Sequence, residues 1–250
     1  MTAAAACSRF NKAVIVAAGM GRRLGAAAGS RPKALLEVGG ATLIERSIGL
    51  LRQAGIADII VVTGFAKQEL EERLKSTVAF RSNPFFAITN NMASLWFAHS
   101  AVAHQPFVYL HADIIFASEI LARCLATPGS SMVIDRHPCG EEEMKVTVAH
   151  GLVERSDKDI PEAAAHGEWV GIAAFAAATG DALFAEIERQ LAVSSAYQAY
   201  DTHAFNQLIK QGHRLNVVDC SGLPWVEVDF PEDLVRARQL FPDGSVNDEP

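Results

Sequence analysis

The sequence has 250 residues, half of them apolar, and carries a net charge of -7 with four scattered cysteines. This length suits one α/β domain, with or without a small annex, and the acidic balance argues against a nucleic-acid or anionic-membrane surface. Because no cysteine pair has metal spacing and no stretch approaches the roughly 18 apolar residues of a membrane span, we expect a cytoplasmic protein with reduced thiols.

Apolar periodicity predicts strands and helices in alternation along the first half of the chain. The predicted strands cover residues 14–17, 59–63, 78–81, 107–110 and 131–134. The predicted helices cover residues 42–54, 67–75, 93–104 and 118–126. This βαβα order indicates a doubly wound, mostly parallel α/β sheet.

The second half of the chain is less regular. Its predicted strands are a hairpin at 145–149 and 152–155, followed by 171–176, 215–218 and 225–228. Its predicted helices cover 181–191, 199–211 and 231–240. This half therefore predicts a small β-rich annex within a single domain covering residues 1–250.

The segment 12–33 carries the strongest functional signal. An apolar strand leads into a small-residue turn, which comprises Ala17, Ala18, Gly19, Met20 and Gly21. Three cations follow the turn: Arg22, Arg23 and Lys33. A glycine turn lets backbone N–H groups point at phosphate oxygens, and cations suit a polyphosphate. The segment predicts a nucleoside triphosphate site, with an ordinary glycine-rich turn as the alternative.

Two better-known phosphate loops do not fit this segment. The P-loop requires a GK[ST] step, and none occurs in the sequence. A dinucleotide fingerprint could begin at Gly19 and Gly21, but Leu24 occupies the position of its third glycine. The turn is therefore predicted to hold phosphates in another way.

The residues AAGMGRRL and RPKALLEVGGATLIERSIGLL carry a resemblance that extends over 13–51. The pattern resembles the signature of the nucleotidyltransferase superfamily with the MobA-like and sugar-nucleotidyltransferase fold, whose members join NTPs to phosphorylated small molecules. The resemblance implies a Rossmann-like fold. It also implies that residues 11–135 mainly bind the nucleotide, and that residues 136–250 mainly bind the acceptor and supply a second metal acid.

Two acidic segments are candidate metal sites. Asp113 follows the apolar run FVYLHA, where the carboxyl end of a parallel strand would face a ligand crevice; Mg²⁺ binding and a turn or N-cap role are both open. The resemblance implies that Asp229 partners Asp113 on Mg²⁺, with Glu227 nearby. In the family an acidic pair such as DxD stands at the Asp113 step, and His111 occupies the first of its positions here.

The segment NPFFAITNNMASLW, residues 83–96, resembles the corresponding step of phosphocholine cytidylyltransferases and of enzymes that load aminoalkylphosphonates and inositol phosphate. Asn90 and Ser94 can read the edge of a base and ribose hydroxyls, and Gly64 would let the backbone approach the base. The alternative is an Asx-rich turn that caps a helix at Asn91 or Ser94.

The resemblance also places acceptor-binding residues in the second half. Lys145 and Lys158 lie where the family carries lysines that face the substrate, although either could be a solvated hairpin lysine. The wall of the acceptor site would include Trp169 and Gly171. Tyr200 and Asp201 could hold a cationic amine, the alternative being a helix N-cap with buried aromatic residues.

These observations predict a CTP-dependent cytidylyltransferase that acts on phosphocholine, 2-aminoethylphosphonate or a similar acceptor and releases pyrophosphate. The expected catalytic residues are Arg22, Lys33, Lys145 and Lys158. One alternative is a GTP- or UTP-dependent sugar-phosphate nucleotidyltransferase. Another, favoured by the lone Asp113, is a nucleotide-binding homologue without activity. A homodimer is left open.

Overall fold

The computed structural model describes residues 10–21, 23–24 and 31–242. Its strands are β1 (Lys12–Ala17), β2 (Glu37–Val38), β3 (Ala41–Thr42), β4 (Asp58–Thr63), β5 (Ala79–Ser82), β6 (Phe107–His111), β7 (Ile114–Phe116), β8 (Ser130–Asp135), β9 (Lys145–Ala149), β10 (Leu152–Asp157), β11 (Glu168–Phe175), β12 (Leu215–Asp219) and β13 (Trp225–Glu227). Its helices are α1 (Leu43–Gln53), α2 (Lys67–Leu74), α3 (Asn91–Trp96), α4 (His99–Val102), α5 (Ser118–Ala126), α6 (Ala177–Leu191), α7 (Asp201–Lys210) and α8 (Pro231–Leu240). Within these ranges no helix is both long and apolar enough to span a membrane.

Nine strands form one sheet in the order β5-β4-β1-β6-β11-β8-β12-β10-β9. The strands from β5 to β6 run parallel, as the βαβα pattern predicts. Beyond them β11 runs antiparallel to both β6 and β8, and β12 returns parallel to β8. The hairpin β9–β10 extends the same sheet at its far edge, so the predicted β-rich annex is continuous with the central sheet.

The helices cover both faces of the sheet, which gives the layering of a doubly wound fold. One core cluster packs α1, α2 and α5 against one face, and another packs α3, α6 and α7 against the opposite face. The central strand β11 is buried at every position because both of its faces are covered. The apolar content of the sequence is used in these two layers.

The predicted helix over 93–104 is wrong in its extent, because two short helices occupy this region. Between α3 and α4 the N–H of Phe97 donates to the carbonyl of Ser94, and the N–H of Ala98 donates to that of Leu95. These bonds span three residues, so they tighten the chain and end α3. The first turn of α3 begins at Asn91, two residues before the predicted start.

A two-stranded sheet outside the main sheet positions the two acidic segments. Strand β7 pairs antiparallel with β13, with Ile114 opposite Glu227. Ile115 and Val226 pack with Leu234 of α8 in a third core cluster. Because β7 follows the turn after β6, this pairing brings the C-terminal acids to the end of a central strand.

Candidate active site

The carboxyl ends of β1 and β6 open at the same edge of the sheet, where parallel α/β folds bind ligands. A cavity of about 230 Å³ lies there, and Ala18, His111 and Asp113 are among its lining residues. A second cavity of about 450 Å³ follows the 17–34 segment and shares Asp113 and Asp229 with the first. These joined cavities are the candidate active site.

The pairing of β7 with β13 places Asp113 beside Asp229. The N–H of Val228 donates to the carbonyl of Asp113 at 2.9 Å. Asp233 accepts from the N–H groups of Asp229 and Phe230, at 3.0 and 2.7 Å, and so fixes the backbone where α8 begins. Asp233 therefore takes the helix N-terminal role that favours an acid there.

Lys33 joins the two aspartates. Its Nζ lies 2.8 Å from Oδ2 of Asp113 and also contacts Oδ1 of Asp229. Burial opposes the charge on Lys33, but the carboxylates of Asp113 and Asp229 outweigh it and raise the pKa of Lys33 above its usual range. Burial likewise opposes the charge on Asp113, yet Lys33 holds the pKa of Asp113 below its ordinary value. Both groups are therefore charged at neutral pH.

Glu227 lies in the same cluster without a cation of its own. Burial, together with the nearby charges of Asp113 and Asp229, raises the pKa of Glu227 to about 7. A third carboxylate at this point gains a partner only when a further positive charge arrives. Binding of a cation beside Glu227 would therefore favour the ionised form of its carboxylate.

His111 ends β6 and is held from behind by a buried carboxylate. Its Nε2 lies 2.9 Å from Oδ2 of Asp201, which is fully buried and also accepts from the hydroxyl of Tyr109 at 2.6 Å. Burial lowers the pKa of His111, but Asp201 outweighs it, and the pKa rises to about 9. The carbonyl side of the Asn91 amide accepts from the N–H of Asp201 at 2.9 Å and completes this network.

The cluster has the donors of a metal site. One ligand atom each of His111, Asp113 and Glu227 lies within 4.8 Å of the others. Oδ1 of Asp113 is buried and has no hydrogen-bond partner among the described residues. An unsatisfied carboxylate oxygen beside further carboxylates suits a divalent cation, so these side chains fit a metal.

The structure brings together most of the predicted nucleotide-binding residues. The cavity along the 17–34 segment is lined by Ala17, Gly19, Met20, Gly21, Arg23, Lys33, Asn90 and Asp113, and Ala18 and Ser94 line the adjoining cavity. Gly21 has a positive φ of 57°, which glycine adopts readily. The predicted catalytic residue Arg22 lies outside the described residues.

Asn90 and Ser94 have structural roles at the same time. Oδ1 of Asn90 accepts from the N–H of Asn91 at the start of α3, and its amide donates to the carbonyl of Gln198 at 3.2 Å. Oγ of Ser94 accepts from the amide of Asn83 at 3.0 Å. The alternative of a capping turn placed the cap at Asn91 or Ser94, whereas the cap is Asn90, and the side chains of Asn90 and Ser94 both line the cavity.

Gly64 has a different role from the one expected. A Cβ at this position would lie 2.7 Å from the carbonyl oxygen of Ala18 and 2.7 Å from Cβ of Phe86. Gly64 is therefore needed for the close packing of the nucleotide turn against residue 86, rather than for an approach to a base. It lines neither of the two joined cavities.

Four of the predicted acceptor-side residues line the first cavity: Lys158, Trp169, Gly171 and Tyr200. Nζ of Lys158 lies 3.4 Å from Glu142 and 5.7 Å from the centre of the Tyr200 ring. Gly171 has a φ of 83°, and a Cβ there would lie 3.1 Å from Nδ1 of His111. This part of the cavity is therefore mixed aromatic and charged.

Two of the residues predicted for the acceptor side do not reach the cavity. Lys145 is buried, and its Nζ donates to the carbonyls of Gly140, Glu141 and Glu143 at 2.9, 3.2 and 3.5 Å. It fixes this loop instead of facing a substrate. Asp201 is buried behind His111 and accepts from Tyr109, so it cannot contact an amine directly.

An acidic cavity of about 490 Å³ adjoins the cluster of His111, Asp113 and Glu227, which is called the metal-type cluster below. Its lining includes Asp135, Glu143, Glu168 and Trp225 and continues to Glu227. Burial raises the pKa of Glu168 to about 7, although His137, with Nε2 3.1 Å away, opposes this. The indole of Trp225 donates to Asp135 at 2.8 Å. An aromatic ring and several carboxylates beside the reacting centre suit a cationic group.

Sequence reasoning missed three residues of this site: His111, Asn91 and Glu168. The signal for His111 was its place in the His-Ala-Asp step, where the family carries an acid. No local pattern distinguished Glu168, because its role depends on His137 and Asp135, which lie more than thirty residues earlier.

Residues 13–154 match the family of the MobA-like NTP transferase domain. The chain belongs to this family. The predicted membership of the nucleotidyltransferase superfamily is confirmed, and so is the Rossmann-like α/β fold. The match covers the nucleotide turn, Lys33, Asp113 and β9 and ends within β10, while the C-terminal acids lie beyond it.

Curated relatives of this MobA-like transferase include two that match most of its length. The CMP-5'-(3-aminopropyl)phosphonate synthase of Streptomyces rubellomurinus is 28% identical over 92% of this chain. A bifunctional IPC transferase and DIPP synthase of Thermococcus kodakarensis is also 28% identical over 92% of it. The chain spans 38% and 50% of the length of these two relatives.

Solved structures share the fold of this transferase over nearly the whole chain. The inositol-1-phosphate CTP transferase from T. maritima has a TM-score of 0.77 at 17% identity, covering 94% of this chain and 98% of that one. The CTP:phosphocholine cytidylyltransferase from Streptococcus pneumoniae has a TM-score of 0.75 at 22% identity, covering 92% and 98%.

Two glycines of the site should respond differently to alanine. In Gly64→Ala the new Cβ meets the backbone of Ala18, so we expect a loss of about 1–3 kcal/mol in the free energy of unfolding. In Gly19→Ala no described heavy atom lies within 4 Å, so stability should be kept while the methyl group occupies space near the phosphates. Urea unfolding and calorimetric nucleotide titration measure the two effects. Equal stability of both variants would contradict this assignment.

Lys145 and Lys158 form a matched pair of lysines for the acceptor side. Lys145→Met removes the donor to three loop carbonyls, so the free energy of unfolding should fall by about 1.5–3 kcal/mol. The kcat of this variant should stay within a few-fold of the wild-type value. Lys158→Met should leave stability nearly unchanged and reduce kcat/KM, because its ammonium lines the cavity. A Lys145→Met variant with wild-type stability but a large loss of kcat would restore Lys145 as a catalytic residue.

Proposed function

We propose that this protein is a CTP-dependent cytidylyltransferase that transfers CMP to a small phosphorylated or phosphonylated acceptor carrying an amine, with release of pyrophosphate. The observation that carries the proposal is the continuity of the site. The cavities join the 17–24 turn, the metal-type cluster and the acidic cavity at Asp229 and Arg23. Nucleotide, reacting centre and acceptor would therefore lie in one row.

The transfer needs positioning and charge neutralisation rather than a covalent intermediate. A phosphoryl or phosphonyl oxygen of the acceptor forms a bond to the α-phosphorus of CTP. The bond from this phosphorus to the oxygen that bridges to the β-phosphate breaks, and pyrophosphate leaves with the electron pair. Lys33 and Arg23 lie where they can neutralise the phosphates, and Arg22 is expected to do the same.

A divalent cation such as Mg²⁺ belongs to this proposal. Asp113 and Glu227 present carboxylate oxygens to the cluster, and Asp229 would join them when Lys33 and Arg23 turn to the phosphates. When bound, the cation would supply Lewis-acid polarisation of phosphate oxygens. Before substrate arrives, the ammonium of Lys33 pairs with Asp113 and Asp229 and so holds these two acids close together.

The cytidine preference rests on the segment 83–96 and on the relatives. Asn90 and Ser94 line the cavity beside the nucleotide turn. Relatives named for CMP or cytidylyl transfer include the aminopropylphosphonate synthase and a choline-phosphate cytidylyltransferase of Streptococcus pneumoniae, 37% identical over 38% of this chain. GTP- or UTP-dependent transfer is the alternative that a direct screen decides.

The amine on the acceptor is supported by the acidic cavity. Asp135, Glu143 and Glu168 line this cavity, where acids outnumber the cations Arg23 and Arg236 and the ring of His137. These acids would repel a second phosphate but attract an ammonium group, so the acceptor's phosphate would face Lys158 and Arg23 instead. Phosphocholine, phosphoethanolamine and 2-aminoethylphosphonate have this polarity, whereas inositol phosphate lacks the cation.

The deciding experiment incubates the protein with Mg²⁺, each of four NTPs and each of these four acceptors. Pyrophosphate release and mass detection of the adduct are measured together. We expect a CMP adduct of an amine-bearing acceptor. An adduct with GTP or UTP alone would discard the cytidine proposal, and nucleotide binding without any transfer would favour a homologue without activity.

Asp113→Asn should nearly abolish transfer in a folded protein. The substitution keeps the shape of the side chain but removes a carboxylate from the cluster, so kcat should fall by at least about a hundredfold. Asp58→Asn is the matched control, because Asp58 is an exposed partner of Lys12 far from the site. Near-wild-type turnover of Asp113→Asn would remove Asp113 from the reaction.

Binding of the acceptor should depend on pH through Glu168. Its carboxylate must be ionised to attract an ammonium group, and its pKa lies at about 7. Between pH 6 and 8 the KM for an amine-bearing acceptor should therefore fall by up to roughly tenfold, and Glu168→Gln should flatten this profile. Initial rates at saturating CTP give both profiles.

An independent check comes from stability. The folded protein holds the proton of Glu168 more tightly than the unfolded chain, so this contribution to stability is lost as pH rises from 4.5 to about 7. Glu168→Gln should therefore be more stable than wild type at pH 8, on the order of 1–2 kcal/mol, and similar at pH 4.5. If Glu168→Gln is instead less stable than wild type at pH 8, burial does not destabilise the ionised carboxylate of Glu168.

A further inference from the structure

His111 occupies a position where the family carries an acid, and its surroundings differ from those of a histidine that only fills a hydrophobic core. It belongs to a cluster with Asp113 and Glu227 in which one ligand atom of each residue lies within 4.8 Å of the others. The three side chains come from the end of β6, the following turn and β13, so pairing of β7 with β13 assembles them. This is a nitrogen and two carboxylates around one point.

The imidazole of His111 is oriented by Asp201. Nε2 lies 2.9 Å from Oδ2 of Asp201, and this carboxylate is itself fixed by the hydroxyl of Tyr109 and by the N–H of Thr202 at 2.8 Å. Histidines that bind metals commonly donate their second ring N–H to a carboxylate, which sets the ring orientation and makes the free nitrogen a better ligand. Asp201 therefore holds the proton on Nε2 and leaves Nδ1 as the nitrogen for a cation, which binds there by displacing the second proton of the imidazolium.

Gly171 keeps Nδ1 accessible. A Cβ on Gly171 would lie 3.1 Å from Nδ1 and 3.2 Å from Cγ of His111, so any larger residue would cover this side of the ring. Both His111 and Gly171 line the first cavity. The uncovered side of the imidazole is therefore continuous with the space beside Asp113.

Asp229 is less available than the other acids. It is paired with Lys33, and one of its oxygens lies 2.9 Å from a guanidinium nitrogen of Arg23. By contrast Oδ1 of Asp113 has no hydrogen-bond partner among the described residues. Glu227 forms no ion pair with any described residue. The donors left for a cation are thus His111, Asp113 and Glu227.

We propose that Nδ1 of His111 binds the divalent cation together with Asp113 and Glu227, and that this site prefers Mn²⁺ to Mg²⁺. Mg²⁺ is bound mainly by oxygen and keeps several waters. Mn²⁺ also favours carboxylates, but as a first-row transition ion it accepts mixed nitrogen and oxygen sites. Asp201 is a positioning residue for the histidine rather than an acceptor ligand. The inference rests on the cation of the proposed function, and it adds a nitrogen ligand and a metal preference.

Pulsed electron paramagnetic resonance of Mn²⁺ bound to the full chain tests the ligand directly. We expect nitrogen coupling, with and without CTP, and a change in its pattern when the protein is made with ¹⁵N-histidine. His111→Ala should remove the coupling and weaken Mn²⁺ binding by tenfold or more. His104→Ala is the matched control, because His104 is an exposed histidine that also pairs with an aspartate, Asp181, at 2.9 Å.

Metal competition tests the preference and the positioning role. Free Mn²⁺ is followed while Mg²⁺ is added, and wild type should hold Mn²⁺ at least tenfold more tightly. His111→Asp should narrow this ratio because an oxygen donor replaces the nitrogen. Asp201→Asn should weaken Mn²⁺ binding about 10–100-fold while His111 is still present. Wild-type spectra need no variant, so poor folding of a variant does not leave the ligand undecided.

The outcomes separate this inference from the proposed function. Bound Mn²⁺ without nitrogen coupling, or equal affinity for Mg²⁺ and Mn²⁺, overturns the role of His111 and leaves cytidylyl transfer untouched. Transfer of CMP that needs no divalent cation overturns the metal in both. Nitrogen coupling with no transfer to any acceptor keeps the metal site and discards the proposed reaction.

Discussion

The active site depends on the ion pairs of Lys33, whose ammonium lies between Asp113 and Asp229. These residues come from three distant parts of the chain, and each would be a poorly solvated charge without the others. Breaking such a group by removing one member leaves an uncompensated charge, which is far more costly than the net worth of the pairs. The same ammonium keeps the acids close together before a nucleotide or metal arrives.

Around this centre the charges separate along the row of cavities. Lys33 lines the cavity along the nucleotide turn, Asp135, Glu143 and Glu168 line the acidic cavity, and Arg23 lines both. Under the proposed function, a triphosphate would be drawn to Lys33 and Arg23, and an ammonium group to the acidic cavity. Burial raises the pKa values of Glu168 and Glu227 to about 7, so their share of the negative charge is present only when these two acids are ionised.

The sequence allowed the nucleotide turn, Lys33 and the two acidic segments to be predicted, because each lies in a short motif next to a strand. It did not allow the environment of Lys145 or Asp201 to be predicted. Lys145 lies at the start of a hairpin strand, and only the tertiary structure shows that three carbonyls surround its ammonium. Asp201 lies 90 residues from His111, and nothing local signals that contact.

The strand β11 has a consequence for how the chain can be divided. It lies between β6 and β8 and pairs with both, although it follows the hairpin β9–β10 in sequence. The family match ends at residue 154, before β11 begins. A fragment cut at that boundary would lack β11, so the edges of β6 and β8 that pair with β11 would have no partner. Open strand edges of this kind are prone to pair with other chains. The end of the family match therefore falls before the strand that joins β6 to β8, and a fragment meant to keep this sheet intact must extend beyond residue 175.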